Sequence, residues 1–133
     1  EFKHLEYFYF HNCLYEGVWK DNRRRTSEVT PTWDLMHKFP ADTRVVFVGD
    51  AAMSPYEIAV KGGSVEHWNA EAGATWLKRM VDLYPHLIWI NPTAEKYWDY
   101  SQSTQMIKDI IGPQRMFSLT LSGLEDAMKE LAR

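Results

Sequence analysis

Asp50 stands where a parallel-sheet protein places its chemistry. It follows Arg44-Val-Val-Phe-Val-Gly49, whose unbroken apolar stretch predicts a strand buried on both faces. Ligands of open parallel sheets bind beyond the carboxyl ends of the strands. A carboxylate at such a tip needs a partner for its charge. It serves either as a metal ligand or catalytic acid, or as a cap for the amides of the following loop. The same rule selects Asn12, after the aromatic run Glu6-Tyr-Phe-Tyr-Phe-His11, and Asn91, after Leu87-Ile-Trp-Ile90. Thr30 also has two readings: an N-cap for a helix beginning at Pro31, or one oxygen of the shell around a hard cation such as Mg²⁺.

Other chemistries find no pattern to rest on. His4, His11, His37, His67 and His86 are scattered, with no His-x-x-x-His and only Cys13 to join them, so zinc is not expected. Gly62-Gly63 is a lone pair without the lysine of a phosphate loop. No Gly-x-Ser-x-Gly elbow occurs, and Ser54, followed by Pro55, reads as a loop serine.

The elements that must position these residues alternate along the chain. Residues 1–5 read as the tail of a helix. The aromatic run ending at His11 and the stretch Cys13-Leu-Tyr-Glu-Gly-Val-Trp19 read as an antiparallel hairpin broken at Asn12. Residues 20–28 are a polar loop, and a helix starts at Thr30-Pro31 and runs through Leu35, Met36 and Phe39. The strand ending at Gly49 and a long irregular stretch to Asn69 follow. Next comes a helix over 72–84 with Trp76, Leu77, Met80, Val81 and Tyr84 on its apolar face. A second buried strand, 87–90, precedes a helix that begins at Ser103 or Thr104 and stops at Gly112-Pro113. A last strand covers 116–121. Ser122-Gly-Leu-Glu125 reads as a capping box opening a terminal helix with Leu124, Met128 and Leu131 inward. Helices and strands in alternation predict an α/β fold: a mostly parallel sheet with helices on both faces.

Composition agrees with a single domain over residues 1–133. The chain is 45% hydrophobic and 25% charged, within the ordinary globular range. One cysteine cannot form an internal disulfide, which points to a reducing, cytoplasmic setting. No apolar run approaches the roughly eighteen residues of a membrane span. With 15 basic and 18 acidic residues the formal charge is −3, and general nucleic-acid binding is not expected despite a small cluster at Lys20 and Arg23-Arg24-Arg25. Aromatic residues are abundant: 6 Trp, 7 Tyr and 6 Phe. Those in predicted strands belong to the core. Tyr56, Trp68, Tyr97, Trp98 and Tyr100 fall in loops after strand ends, where aromatic side chains either fold the loop down or anchor a protein interface.

Phe8-Tyr-Phe-His-Asn12, Thr30-Pro-Thr-Trp33 and Val46-Phe-Val-Gly-Asp-Ala-Ala-Met-Ser-Pro-Tyr-Glu57, with the later Gly-Gly-Ser-Val-Glu-His-Trp-Asn69, resemble a von Willebrand factor A (VWA) domain. More narrowly, they resemble the bacterial CoxE-like VWA-containing proteins. The resemblance implies a Rossmann-like fold with a metal-ion-dependent adhesion site for Mg²⁺ or a similar cation. Thr30 then matches the family's threonine, with Thr32 as the alternative, and Asp50 matches its aspartate. No Asp-x-Ser-x-Ser loop occurs in the chain. The likeness is therefore to the C-terminal portion of such a domain without its central first strand, and the cation site is expected to be incomplete.

The function this implies is a non-enzymatic protein-interaction module, working with a MoxR-type AAA+ ATPase in protein maturation or remodelling. The partner-facing residues would be Asn12, Ser54, Tyr56, Glu57, Trp68, Asn91 and Trp98. Sheet edges left unpaired by the absent strand would make a homodimer a further expectation. The competing reading is a Mg²⁺-dependent phosphatase-like hydrolase, because Val-Phe-Val-Gly-Asp50 resembles the strand–Gly-Asp motif of the haloacid dehalogenase type. That family's second acid falls where this sequence has Ser54, and its upstream Asp-x-Asp is not present.

Overall fold

The computed structural model describes residues 4–61 and 69–133. The helix tail expected over residues 1–5 therefore lies largely outside the described residues, as do Gly62-Gly63 and Trp68. A two-stranded antiparallel hairpin is formed by β1 (Gly17–Trp19) and β2 (Val29–Pro31), with Val18 opposite Thr30. Helix α1 (Thr32–Lys38) follows directly. A three-stranded parallel sheet then holds β3 (Val46–Val48), β4 (Ile88–Asn91) and β5 (Met116–Ser118) in the order β3-β4-β5. The remaining helices are α2 (Pro55–Ala59), α3 (Gly73–Leu83), α4 (Gln102–Ile111) and α5 (Leu121–Leu131). The chain is thus a mixed α/β protein, as its alternating pattern predicts.

Register sorts the sheet into two faces. Phe47 pairs with Trp89 and Trp89 with Met116, and these point into the larger core with Ile58, Leu77, Met80 and Ile107 of α2, α3 and α4. On the opposite face, Ile88 and Ile90 pack under Ala127 and Leu131 of α5, with Leu124 and Phe117 beside them. Helices cover both faces, but not evenly. Helix α5 contacts β4 and β5, and Val46 and Val48 on that same face of β3 stay 41% and 57% exposed. The expectation of a β3 strand buried on both faces is corrected: an apolar run cannot tell a central strand from an edge strand. By contrast β4, flanked on both sides, is buried throughout.

Several local expectations shift. The chain turns at Asn12, where φ is 65°, as the expected hairpin requires, but the continuous ladder forms one segment later, between β1 and β2. The aromatic run meets the following segment in two isolated antiparallel bridges, His11–Cys13 and Tyr9–Trp19; Tyr9 N–H donates to Trp19 O at 2.6 Å and Trp19 N–H returns to Tyr9 O at 2.9 Å. Thr30 sits within β2 rather than capping a helix, and α1 opens at Thr32. Thr32 is buried, and its hydroxyl donates to Tyr15 O at 2.6 Å. At the last helix Thr120, not Ser122, is the cap, accepting from Gly123 N–H at 3.0 Å. Met128 is 49% exposed and Ala127 takes the expected inward place.

Close packing leaves two positions without tolerance for change. Cys13 is fully buried where the start of α3 crosses it, and a Cβ on Gly73 would lie 3.0 Å from its Sγ. Burial pushes the Cys13 thiol up to about 12, so the neutral form is the one folded in. At Gly123, α5 rests against the strand it follows, and a Cβ would overlap the Ser118 carbonyl. Gly123→Ala is expected to cost about 2 kcal/mol in chemical denaturation, since backbone must move to admit the methyl. A disulfide-exchange reagent at mildly alkaline pH should leave Cys13 unmodified in the native protein and label it fully in denaturant. Rapid native labelling would show that the site opens.

Candidate functional site

The carboxyl edge of the parallel sheet is built around the end of β3. Gly49 N–H donates to Ile90 O at 3.2 Å, and Gly49 O accepts from the Trp89 indole N–H at 2.8 Å. A side chain at position 49 would meet the Phe10 ring at 3.3 Å and the Trp89 ring at 3.5 Å. Close approach of the two rings therefore favours glycine here, and Asp50 leaves the sheet beside them. Its carboxylate is exposed, and Oδ1 accepts from Ala52 N–H at 3.0 Å, the cap role that one of its two readings anticipated.

Between them Ala51 takes φ 57°, a left-handed conformation that costs a non-glycine residue about 1 kcal/mol or more. The conformation is held from the start of α4. Ser103 Oγ donates to Ala51 O at 2.6 Å and accepts from Met53 N–H at 3.1 Å, while Thr104 Oγ1 lies 3.3 Å from the same carbonyl. Ser101 completes the cluster, its Oγ accepting from Thr104 N–H at 3.2 Å and lying 3.1 Å from Ser103 Oγ. Ala51, Ser103 and Thr104 are all buried. The hydroxyl run Ser101-Gln-Ser-Thr104 was visible in the sequence as a helix start, but its partner across the fold was not.

On the other side of Asp50 lies a cleft of about 210 Å³, walled by residues 8–10 and Asn12 and, opposite, by Val48, Gly49 and Asp50. The exposed Asn12 donates through Nδ2 to Glu57 Oε2 at 3.0 Å, and Tyr15 OH donates to the Glu57 carbonyl at 2.6 Å. These bonds tie the Asn12 turn to α2. Ser54 caps that helix, accepting from Tyr56 N–H at 3.2 Å. Tyr56 projects outward at 58% exposure.

The structure thus gathers Asn12, Asp50 and Glu57 around one edge, with Tyr56 beside them. It does not place every expected residue there. Trp68 lies outside the described residues. Asn91 and Trp98 are buried and hold their loop from within rather than facing a partner. Asn91 Oδ1 accepts from Thr93 N–H at 2.9 Å, and the Trp98 indole N–H donates to Thr93 O at 2.8 Å. The loop aromatics that reach solvent are Tyr97 and Tyr100 instead.

For a hard cation the fit is poor. Such ions take six or more oxygens, and among the described residues no group of three His, Cys, Asp or Glu side chains could hold a metal. Thr30 is half-buried in β2 with Val18 opposite. The alternative threonine, Thr32, has its hydroxyl turned inward to Tyr15 O. A phosphatase reading meets the same difficulty, since the position expected to supply a second acid is the capping Ser54.

No family profile, curated protein or solved structure matches the chain. Among the described residues, no helix is long and apolar enough to cross a membrane. Ser103→Ala should destabilise the protein by about 2 kcal/mol, because it strips a buried carbonyl and a buried amide of their shared partner. The measurement is equilibrium unfolding, with amide exchange of Met53 as the local readout; exchange at the parent rate would mean that Ser103 does not hold this loop.

Proposed function

We propose that the protein is a non-enzymatic interaction module of the CoxE-like VWA type, which engages a protein partner at the carboxyl edge of its parallel sheet. The partner class follows from the resemblance in the sequence and is a MoxR-type AAA+ ATPase acting in protein maturation or remodelling. The observation that carries the reading is the Asp50 loop. The exposed Asp50 carboxylate is followed at once by Ala51, whose backbone is strained, and buried hydroxyls from another helix hold that backbone in place. Strain retained at a surface loop marks function more often than packing does. Tyr56, exposed on α2 next to the Glu57 that Asn12 holds, supplies the aromatic contact that protein interfaces favour.

Recognition in this reading uses the carboxylate and the aromatic side chains directly. The Mg²⁺ that the family resemblance implies is not needed for this contact, and Asp50 and Thr30 are the residues that the resemblance would assign to it. Asp50 is half of the machinery that a phosphatase of the competing class would need, and the sequence has no upstream Asp-x-Asp to supply the nucleophile.

Two measurements separate these functions. A purified MoxR-type ATPase should bind the protein, and Asp50→Asn, which keeps the oxygen that caps Ala52, and Tyr56→Ala should each weaken binding about tenfold or more without unfolding the protein. A generic phosphate ester with Mg²⁺ should be turned over no faster than in buffer. Turnover that Asp50→Ala abolishes would replace the interaction reading with the hydrolase.

A further inference from the structure

The outer edge of β3 is an open hydrogen-bonding template. On the inner side Val45 O accepts from Ile88 N–H at 2.9 Å and Gly49 N–H donates to Ile90 O at 3.2 Å. Backbone groups alternate direction along a strand, so those of Val46 and Val48 point away from β4. In the described residues no other strand lies on that side, since the sheet order ends at β3. The same two residues carry exposed, β-branched side chains. An edge of this kind is a ready site for an added strand.

The edge is not open to any comer. The cleft beside Val48, Gly49 and Asp50 has a second wall, residues 8–10 and Asn12. Phe10 closes its base, with its ring 5.8 Å from that of Phe47 and 6.0 Å from that of Trp89. A narrow cleft with a wall on each side suits one extended segment better than the broad rim of a second folded copy. Charge selects further: Asp50 lines the slot, Glu57 is bonded to Asn12 at its margin, and none of the lining residues is basic.

We infer that this slot takes an extended segment of a partner protein as an added strand along β3. Val46 and Val48 supply the backbone bonds, and a Lys or Arg of the segment meets Asp50. Apolar, β-branched residues at alternate positions of that segment would cover the exposed valines, as cross-strand neighbours do. The inference rests on the interaction-module reading and specifies how the partner engages it.

The test uses a short synthetic peptide of alternating Val and Thr flanked by lysines, titrated into the protein and followed by amide chemical shifts. Binding should shift Val46 and Val48 most. Val48→Pro removes one outward N–H and leaves the β4 ladder intact, as proline at an edge position does. It should weaken the peptide about tenfold with unchanged circular dichroism. Asp50→Lys leaves the sheet alone and should weaken the lysine-flanked peptide about tenfold relative to a serine-flanked one, which covers the case in which the proline variant does not fold. Absence of binding, or binding that neither substitution weakens, overturns the inference. So does a concentration-dependent dimer that Val48→Pro dissolves, since the occupant would then be a second copy. If the ATPase binds in an Asp50-dependent way and Val48→Pro leaves that binding unchanged, the strand mode fails while the interaction reading stands.

Discussion

The position of Trp89 constrains most of what surrounds the sheet's carboxyl edge. Its ring stacks on Phe47 at 5.1 Å with an interplanar angle of 14°, meets Phe10 edge-on, and is fully buried. Burying so large an indole is strongly favourable, but its N–H must find an acceptor or the gain is forfeited. It finds the Gly49 carbonyl. That one bond joins the two central requirements of the region: an apolar cluster linking β3, β4 and the N-terminal segment, and a fixed exit point for Asp50. Gly49 leaves room for the two aromatic rings that approach it.

From this point the loop has little freedom. Ala51 turns left-handed immediately after Asp50, and the cost of that turn is offset by buried hydroxyl bonds from α4. The carboxylate is thereby presented at the end of β3 instead of folding back. The N-terminal segment approaches from the other side, tied down by the Tyr9–Trp19 bridge and by Asn12 to Glu57. It reaches β3 through ring contacts rather than through a backbone ladder, which is why a cleft remains between them. The sheet is tight at its middle strand and open along one edge, and the exposed valines are the sign of it.

How far the sequence revealed this depended on the range of the interaction involved. Helices α3 and α4 were legible because their apolar faces recur at helical spacing and their ends carry local stop signals. Strand β4 read correctly as buried, since it is flanked on both sides. The hairpin was legible in part: the chain turns at Asn12 and the two segments meet in the His11–Cys13 and Tyr9–Trp19 bridges, but the ladder forms between Gly17–Trp19 and Val29–Pro31. Thr30 and Thr32 exchanged roles for a similar reason: which threonine begins a helix depends on where a neighbouring strand ends. At the site, Asp50, Asn12 and Glu57 were all named from sequence. Asn91 and Trp98 were expected at the surface and are buried, because a residue after a strand end points outward or inward according to what packs over the loop.

The sequence by itself determined the alternation of helices and strands, the placement of a carboxylate after Val48-Gly49, and an aromatic surplus that had to be divided between core and surface. These follow from local spacing and residue type, which act within a few residues. Only the tertiary structure decided that β3 is an edge, that Ala51 is strained and held by Ser103 and Thr104, and that residues 8–12 wall a cleft beside Asp50. Each of those depends on segments some forty to fifty residues apart, joined by burial and hydrogen bonds that no local pattern encodes.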